Sequence, residues 1–357
     1  LSQNKVEVIN DIEIHRTFDD TFGFGISEVE SSIFVRIKKL FSVFYFAKQI
    51  EQIGRKKNVT ILHAHSMFYC AFASYLAAKR LNVPLVYEFR SLWEERFNKG
   101  GPINLVKAKL IKFMETIALK SADEVVVINE GLKSEVIKRG ISQDKIVVVP
   151  NAVAQSIIDL SKTSKVPSKI NVFGYVGNYS EIEGLNLLIE AFKLAFPKNQ
   201  YIDKKLVFYG RGPYESELES IIAKSMDNRI SNLGSFARGD IYNVYADIDC
   251  IVNPRKGLKI CELVTPLKPL EAMAFKKLLI GSNCKGIVEV TGGKANAIYF
   301  EVDKLDSLVS KLKTTINNNY REVICNAHLY VHQERTWHSV SNIYTLLYSK
   351  LFKSNSN

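Results

Sequence analysis

The chain has 357 residues, 46% of them hydrophobic and 24% charged, with a formal net charge of +11. This length accommodates two domains with separate cores, and the composition is ordinary for a globular protein. No run approaches the roughly 18 apolar residues of a membrane span, and the five dispersed cysteines, without a C-x-x-C pair or a zinc-spaced His/Cys cluster, argue against a disulfide framework and a structural metal.

In chain order, Leu1 is followed almost at once by a strand-like segment at 6–9, so the first domain is expected to lack its N-terminal part. Short apolar runs then alternate with helical patterns. Strands are predicted at 59–63, 84–89, 124–128 and 145–149, and helices at 67–80, 105–120 and 131–139. The polar stretch 155–169 reads as a linker. A second series follows, with strands at 170–176, 205–209, 230–233, 250–253 and 278–282. Its helices lie at 185–196, 214–226 and 305–315, with another opening at Glu271. A last helix, 336–352, carries apolar residues at helical spacing. This alternation predicts an α/β protein of two Rossmann-like domains, 1–160 and 161–335, with 336–357 as a C-terminal helix packing back on the first. Two such domains are expected to face a central cleft, with ligands at the carboxyl ends of the strands.

The most informative segment is 261–274, C-E-L-V-T-P-L-K-P-L-E-A-M-A. Glu262 and Glu271 bracket two prolines and Lys268, and Glu271 stands where a helix opens. Such a helix start attracts anions, while a carboxylate there accepts hydrogen bonds from hydroxyls. The pattern suits a ligand carrying both phosphates and hydroxyls. Arg255, Lys256 and Lys259 precede it in the same loop. Two glycine-bearing loops add to it: Gly174 to Gly184, containing Gly177 and Asn178, and Gly210-Arg211-Gly212. Glycine at a strand end lets backbone approach a phosphate, and Arg suits bidentate phosphate binding. Each loop alone reads equally well as a plain turn. His63 and His65, with no carboxylate nearby in sequence, do not make a metal site and read first as a structural pair. Asp247 and Asp249 read as a helix-to-strand turn rather than a metal motif.

The segments HAHS (63–66), VYEFRSLWEE (86–95), SADEVVVINEGLK (121–133), KIVVVPNAV (145–153), GYVGNYSEIEGLNLLIEAF (174–192), YGRGP (209–213) and ELVTPLKPLEAMA (262–274) together resemble a retaining glycosyltransferase of family 4, with the two-domain GT-B fold. The last is particularly similar to a bacterial subgroup in cell-surface polysaccharide assembly, including exosortase-associated transferases. The resemblance implies that Glu271 binds the ribose of a nucleotide-sugar donor and that Glu262 lies beside the donor sugar. It also implies that the backbone around Thr265, Leu267 and Lys268 contacts sugar and diphosphate. Asn178 and Glu183 stand where the family usually has an Arg and a Lys for the phosphates. Arg211, Arg255, Lys259 and Lys268 are the available replacements, Arg255 with Lys268 foremost. Arg90 occupies the place of a catalytic-region His, and His65 is expected to line the cleft. Relatives have a first strand and glycine-rich loop ahead of this start, so roughly 40–70 residues are expected to be missing, the scale of one strand–helix–strand unit.

The implied reaction moves a hexosyl group with retention from the nucleotide sugar to a saccharide, expected to be lipid-linked, with no metal and no resident cofactor. A GT-B epimerase and a degenerate, non-catalytic scaffold are the rival readings. The charge is clustered: seven basic residues and one acid lie between Arg36 and Lys57, and five basic residues and no acid between Arg96 and Lys112. Lys107, Lys109 and Lys112 alternate with apolar residues, as in a helix lying on an anionic membrane or a solvated helix face. No nucleic-acid-binding motif accompanies the charge. Dispersed cysteines fit a reducing cytoplasm, so the expected location is cytoplasmic, peripheral on the inner face of the plasma membrane.

Overall fold

The computed structural model describes residues 6–9, 11–16, 33–97 and 100–355. Leu1, Lys99 and the side chains of Arg36, Lys38 and Lys39, on which part of the sequence reading rests, lie outside what is described. The chain divides into two compact units: residues 1–126, 136–147 and 347–357 form the first, and 127–135 with 148–346 the second.

In the first unit, β1 (Val6–Ile9) and β2 (Ile12–His15) form an antiparallel hairpin. A four-stranded sheet is built in the order β3 (Leu62–His65), β4 (Leu85–Phe89), β5 (Glu124–Val127) and β6 (Ile146–Val148). β4 and β5 are buried along their whole length, as strands covered on both faces must be. The helix Phe68–Leu81 buries Ala71, Ser74 and Ala78, and Asn82 ends it in the left-handed conformation.

The second unit contains β7 (Val172–Asn178), β8 (Lys205–Arg211), β9 (Ile230–Gly234), β10 (Cys250–Asn253), β11 (Leu278–Ser282) and β12 (Ile298–Phe300). Their order across the sheet is β12-β11-β10-β7-β8-β9, with parallel pairing throughout. Chain order therefore reverses between β7 and β10. Crossovers leave these two strands in opposite directions, which opens a crevice at their carboxyl ends. Alternate residues of β7 serve two cores. Phe173 and Tyr175 pack with Leu188, Phe192 and Phe208, whereas Val176 packs with Tyr245, Leu270 and Met273. The helix Leu185–Ala195 buries Leu185, Leu188, Ile189 and Phe192, the i, i+3, i+4, i+7 stripe its sequence predicts.

Three features differ from the sequence reading. The first predicted strand of the sheet runs Leu62–His65 rather than 59–63. The stretch taken for a linker begins with the helix Gln155–Ser161, because Ile157 and Ile158 are buried in the second unit's core. The last helix, Trp337–Asn355, is not uniformly core: Val340 and Leu347 are buried, while Leu346 is 72% exposed.

Candidate functional site

The carboxyl ends of β7, β8 and β10 gather most of the singled-out residues of the second unit. Parallel register sets Gly177 beside Gly210 and Asn178 beside Arg211. A side chain at Gly210 is impossible: its φ is +149° and a Cβ would stand 1.8 Å from the Gly177 carbonyl oxygen. Gly184 likewise has φ +66°, and a Cβ there would meet the Pro254 oxygen at 2.1 Å. These two glycines let the loops after β7, β8 and β10 close on one another.

Lys268 begins the short helix Lys268–Ala274. Its Cε lies 3.3 Å from where a Gly177 Cβ would be, so the lysine stem runs over that glycine at the β7 end. Among the described residues Lys268 makes no ion pair, and neither does Arg211, which is exposed. Glu271, one turn on, accepts a hydrogen bond from Tyr245 Oη to its Oε2 at 3.1 Å, which leaves Oε1 without a partner among the described residues. Burial, then the Glu271 charge, holds the Tyr245 hydroxyl well above its ordinary pKa, so it stays a donor. Thr265 is buried, and its backbone oxygen and Oγ1 both accept from Asn151 Nδ2. Leu267 beside it is 47% exposed.

The structure changes the standing of two cations. Arg255, the leading replacement for the missing phosphate ligands, directs Nε and Nη2 at the Glu183 carboxylate and Nη1 at the Val264 carbonyl oxygen. Its charge is neutralised and only 11% of its side chain is exposed. Glu183 is therefore the counter-ion of Arg255. Lys259 lies 3.5 Å from Glu135. Glu262 accepts from the Lys285 backbone N–H at 3.0 Å, which ties it to the start of the helix Lys285–Thr291.

Sequence reasoning passed over Asn253, at the end of β10. Its Nδ2 is buried with no partner among the described residues, and the residue is 1% exposed. An uncompensated buried amide is costly. An Asn closing an otherwise apolar strand just before Pro254-Arg255 is the signal that could have singled it out.

His65 and Arg90 belong to the first unit. Parallel register places Glu88 of β4 opposite His65 of β3. The Glu88 carboxylate is 1% exposed; Oε1 pairs with Arg90, and Oε2 stands 3.3 Å from His63 Nε2 and 3.5 Å from His65 Nδ1. The expectation that no carboxylate accompanies the two histidines is thus corrected: Glu88 is remote in sequence and adjacent through strand pairing.

Comparison with known proteins adds the following. Residues 5–156 match the family model "Glycosyltransferase Family 4", and residues 170–318 match "Glycosyl transferases group 1". A phosphatidylinositol N-acetylglucosaminyltransferase polypeptide of Arabidopsis thaliana is 22% identical over 244 residues, 68% of this chain. That match spans 51% of the Arabidopsis protein, about half its length. A glycosyltransferase from Rickettsia africae ESF-5 superposes with a TM-score of 0.69 at 22% identity, over 91% of this chain and 83% of that one. Anabaena Alr3699/HepE, solved with UDP-glucose, superposes with a TM-score of 0.66 at 19% identity, over 85% and 82% of the two chains. These structures share the fold: two Rossmann-like α/β domains of GT-B type.

Proposed function

From the premise that this chain is a GT-B glycosyltransferase of the family 4/group 1 type, with each of its halves matching one of the two family models, we propose that it transfers a hexosyl group from a nucleotide-diphosphate sugar to a saccharide acceptor with retention. The supporting observation is the placement of Lys268 over Gly177 at the β7–β10 reversal, with Glu271 one turn away. A primary ammonium and a half-satisfied carboxylate at a glycine-lined strand end suit a diphosphate and a ribose respectively.

In this reading Lys268 and Arg211 carry the diphosphate, Gly177, Asn178 and Gly210 admit it, and Thr265 and Leu267 shape the sugar pocket. Arg255 and Lys259 act by holding the loop through Glu183 and Glu135. Glu271 binds the ribose, and Glu262 fixes the segment on the sugar side. Fixed cations and backbone dipoles stabilise the leaving diphosphate without a metal, and the diphosphate itself takes the acceptor proton. His65 and Arg90 serve the acceptor side. The complex of HepE with UDP-glucose supports a nucleotide-sugar donor. The name of the Arabidopsis relative, which refers to phosphatidylinositol, supports a lipid-linked acceptor. The resemblance of 262–274 supports a role in bacterial cell-surface polysaccharide synthesis.

A membrane-facing location rests on the helix Gly101–Ser121. Ile103, Val106, Leu110 and Phe113 are each at least 59% exposed and recur along one face, and Lys107 and Lys109 flank them. Among the described residues no helix is long and apolar enough to cross a membrane. The reading is a peripheral protein on an anionic leaflet facing the cytoplasm.

The test is a panel of nucleotide sugars scored by thermal stabilisation, then turnover with the donor found. Release of nucleoside diphosphate only when an acceptor is added supports transfer. Release without acceptor supports the epimerase reading, and binding without turnover the scaffold reading, which the internal neutralisation of Arg255 favours. Glu271→Ala should weaken the donor by about 1–3 kcal/mol; unchanged donor affinity would misplace the site.

A further inference from the structure

We propose that His63, His65 and Glu88 form a binding site for a divalent transition-metal ion, zinc by preference, in the first unit. His63 and His65 lie two residues apart on β3, so their side chains leave the same face of the sheet. Strand pairing sets Glu88 of β4 level with His65. One nitrogen from each ring and one carboxylate oxygen all fall within 4.8 Å of one another.

The distances suit coordination. Zinc bonds His nitrogen and carboxylate oxygen at about 2.0–2.2 Å, so two tetrahedral ligands stand about 3.3–3.5 Å apart. Glu88 Oε2 is 3.3 Å from His63 Nε2 and 3.5 Å from His65 Nδ1. Two imidazoles and one carboxylate are a borderline-soft donor set, and three protein ligands leave a fourth position for water or another ligand.

The groups behind the ligands are those a metal site requires. His63 Nδ1 lies 2.6 Å from the Tyr348 hydroxyl, which fixes the ring and leaves Nε2 toward the site. Arg90 holds Oε1 of Glu88, which leaves Oε2 as a single-oxygen ligand. The two rings are stacked, with centroids 4.5 Å apart and planes 16° apart, so neither must turn far to direct its nitrogen inward. Glu88 is buried, and the site opens to solvent at His65, whose side chain is 54% exposed. Arg90 opposes a cation by its charge, which makes binding weaker than at a closed structural zinc site. An ion here would tie β3 to β4 and lock the HAHS turn at 63–66.

The experiment titrates the metal-free full chain with Zn²⁺ by calorimetry and with Co²⁺ by absorbance. The expected result is one equivalent of metal, a cobalt spectrum without a thiolate charge-transfer band, and a rise in melting temperature with Zn²⁺. His65→Ala and Glu88→Gln should each lower affinity at least 10-fold, and Tyr348→Phe roughly 10-fold. His332→Ala, which alters the other close histidine pair, His328 and His332, should change nothing. Circular dichroism of each variant establishes that it is folded. Because His65→Ala removes an exposed ring, it serves as the arbiter if Glu88→Gln fails to fold. Wild-type stoichiometry and affinity in His65→Ala, a thiolate band, or loss of binding in His332→Ala would each overturn the site. The site is independent of the donor reading, since the readout is metal binding alone.

Discussion

Arg255 and Glu183, 72 residues apart in sequence, form a part-buried ion pair, with Nη2 3.0 Å from Oε1 and the third edge of the guanidinium closed by the Val264 carbonyl oxygen. The acid that counts against a phosphate site in sequence is the partner that makes a buried arginine tolerable. Breaking such a pair from one side leaves a buried charge uncompensated. Arg255→Met is therefore expected to destabilise the protein by about 3–5 kcal/mol, read as a drop in denaturation midpoint. The double variant Arg255→Met/Glu183→Leu should recover most of the loss. A single variant as stable as wild type would show that the pair carries no such burden.

With Arg255 committed, Lys268 is the principal cation for a diphosphate. Lys268→Ala should weaken UDP or GDP binding by about 1.5–3 kcal/mol, roughly 10- to 150-fold. The melting temperature should hardly move, because Lys268 makes no ion pair among the described residues. Calorimetry with nucleoside and nucleoside diphosphate in parallel separates the effects. Equal losses for both ligands would remove Lys268 from the phosphates.

Glu115 makes stability depend on pH. Burial raises its carboxyl from 4.5 to about 7, although it accepts a hydrogen bond from the Tyr87 hydroxyl and faces the Glu94–Arg139 pair. Below pH 4.5 the group is protonated in both folded and unfolded chains, and its contribution is fully present. As pH rises the unfolded chain ionises first, so that contribution is lost by the time pH passes about 7. The shift is equivalent to about 3 kcal/mol. Glu115→Gln retains an acceptor for Tyr87 and should flatten this part of the stability–pH profile, with its gain seen at pH 8. An unaltered profile in urea melts at pH 5 and pH 8 would contradict the assignment.

The stripe on the helix Gly101–Ser121 predicts binding to vesicles containing phosphatidylserine. Replacing Lys107, Lys109 and Lys112 with Gln should cost about 1 kcal/mol per lysine and abolish the salt dependence, while Ile103→Ser with Phe113→Ser should weaken binding at any salt. Binding in co-sedimentation that ignores both sets of changes would place the membrane contact elsewhere.

The strand–helix alternation, the doubly wound second domain and the grouping of glycines and cations at strand ends were legible in the chain because they follow from local periodicity. Side chains repeat every 2 residues in a strand and every 3.6 in a helix, whatever lies elsewhere. The same locality misread 155–161, where the burial of Ile157 and Ile158 by distant residues stabilises a helix in a polar stretch. It also displaced the start of β3.

What only the tertiary structure decided is how charges are paired. Sequence order makes Arg255, Lys259 and Lys268 equivalent cations of one loop; folding gives Arg255 to Glu183 and Lys259 to Glu135, and leaves Lys268 over Gly177. Sequence order likewise separates His63 and His65 from Glu88, and strand register brings them within reach. Coulomb and coordination energies act over a few ångströms in space. Which acid meets which base is therefore set by register and crossover, which no local pattern contains.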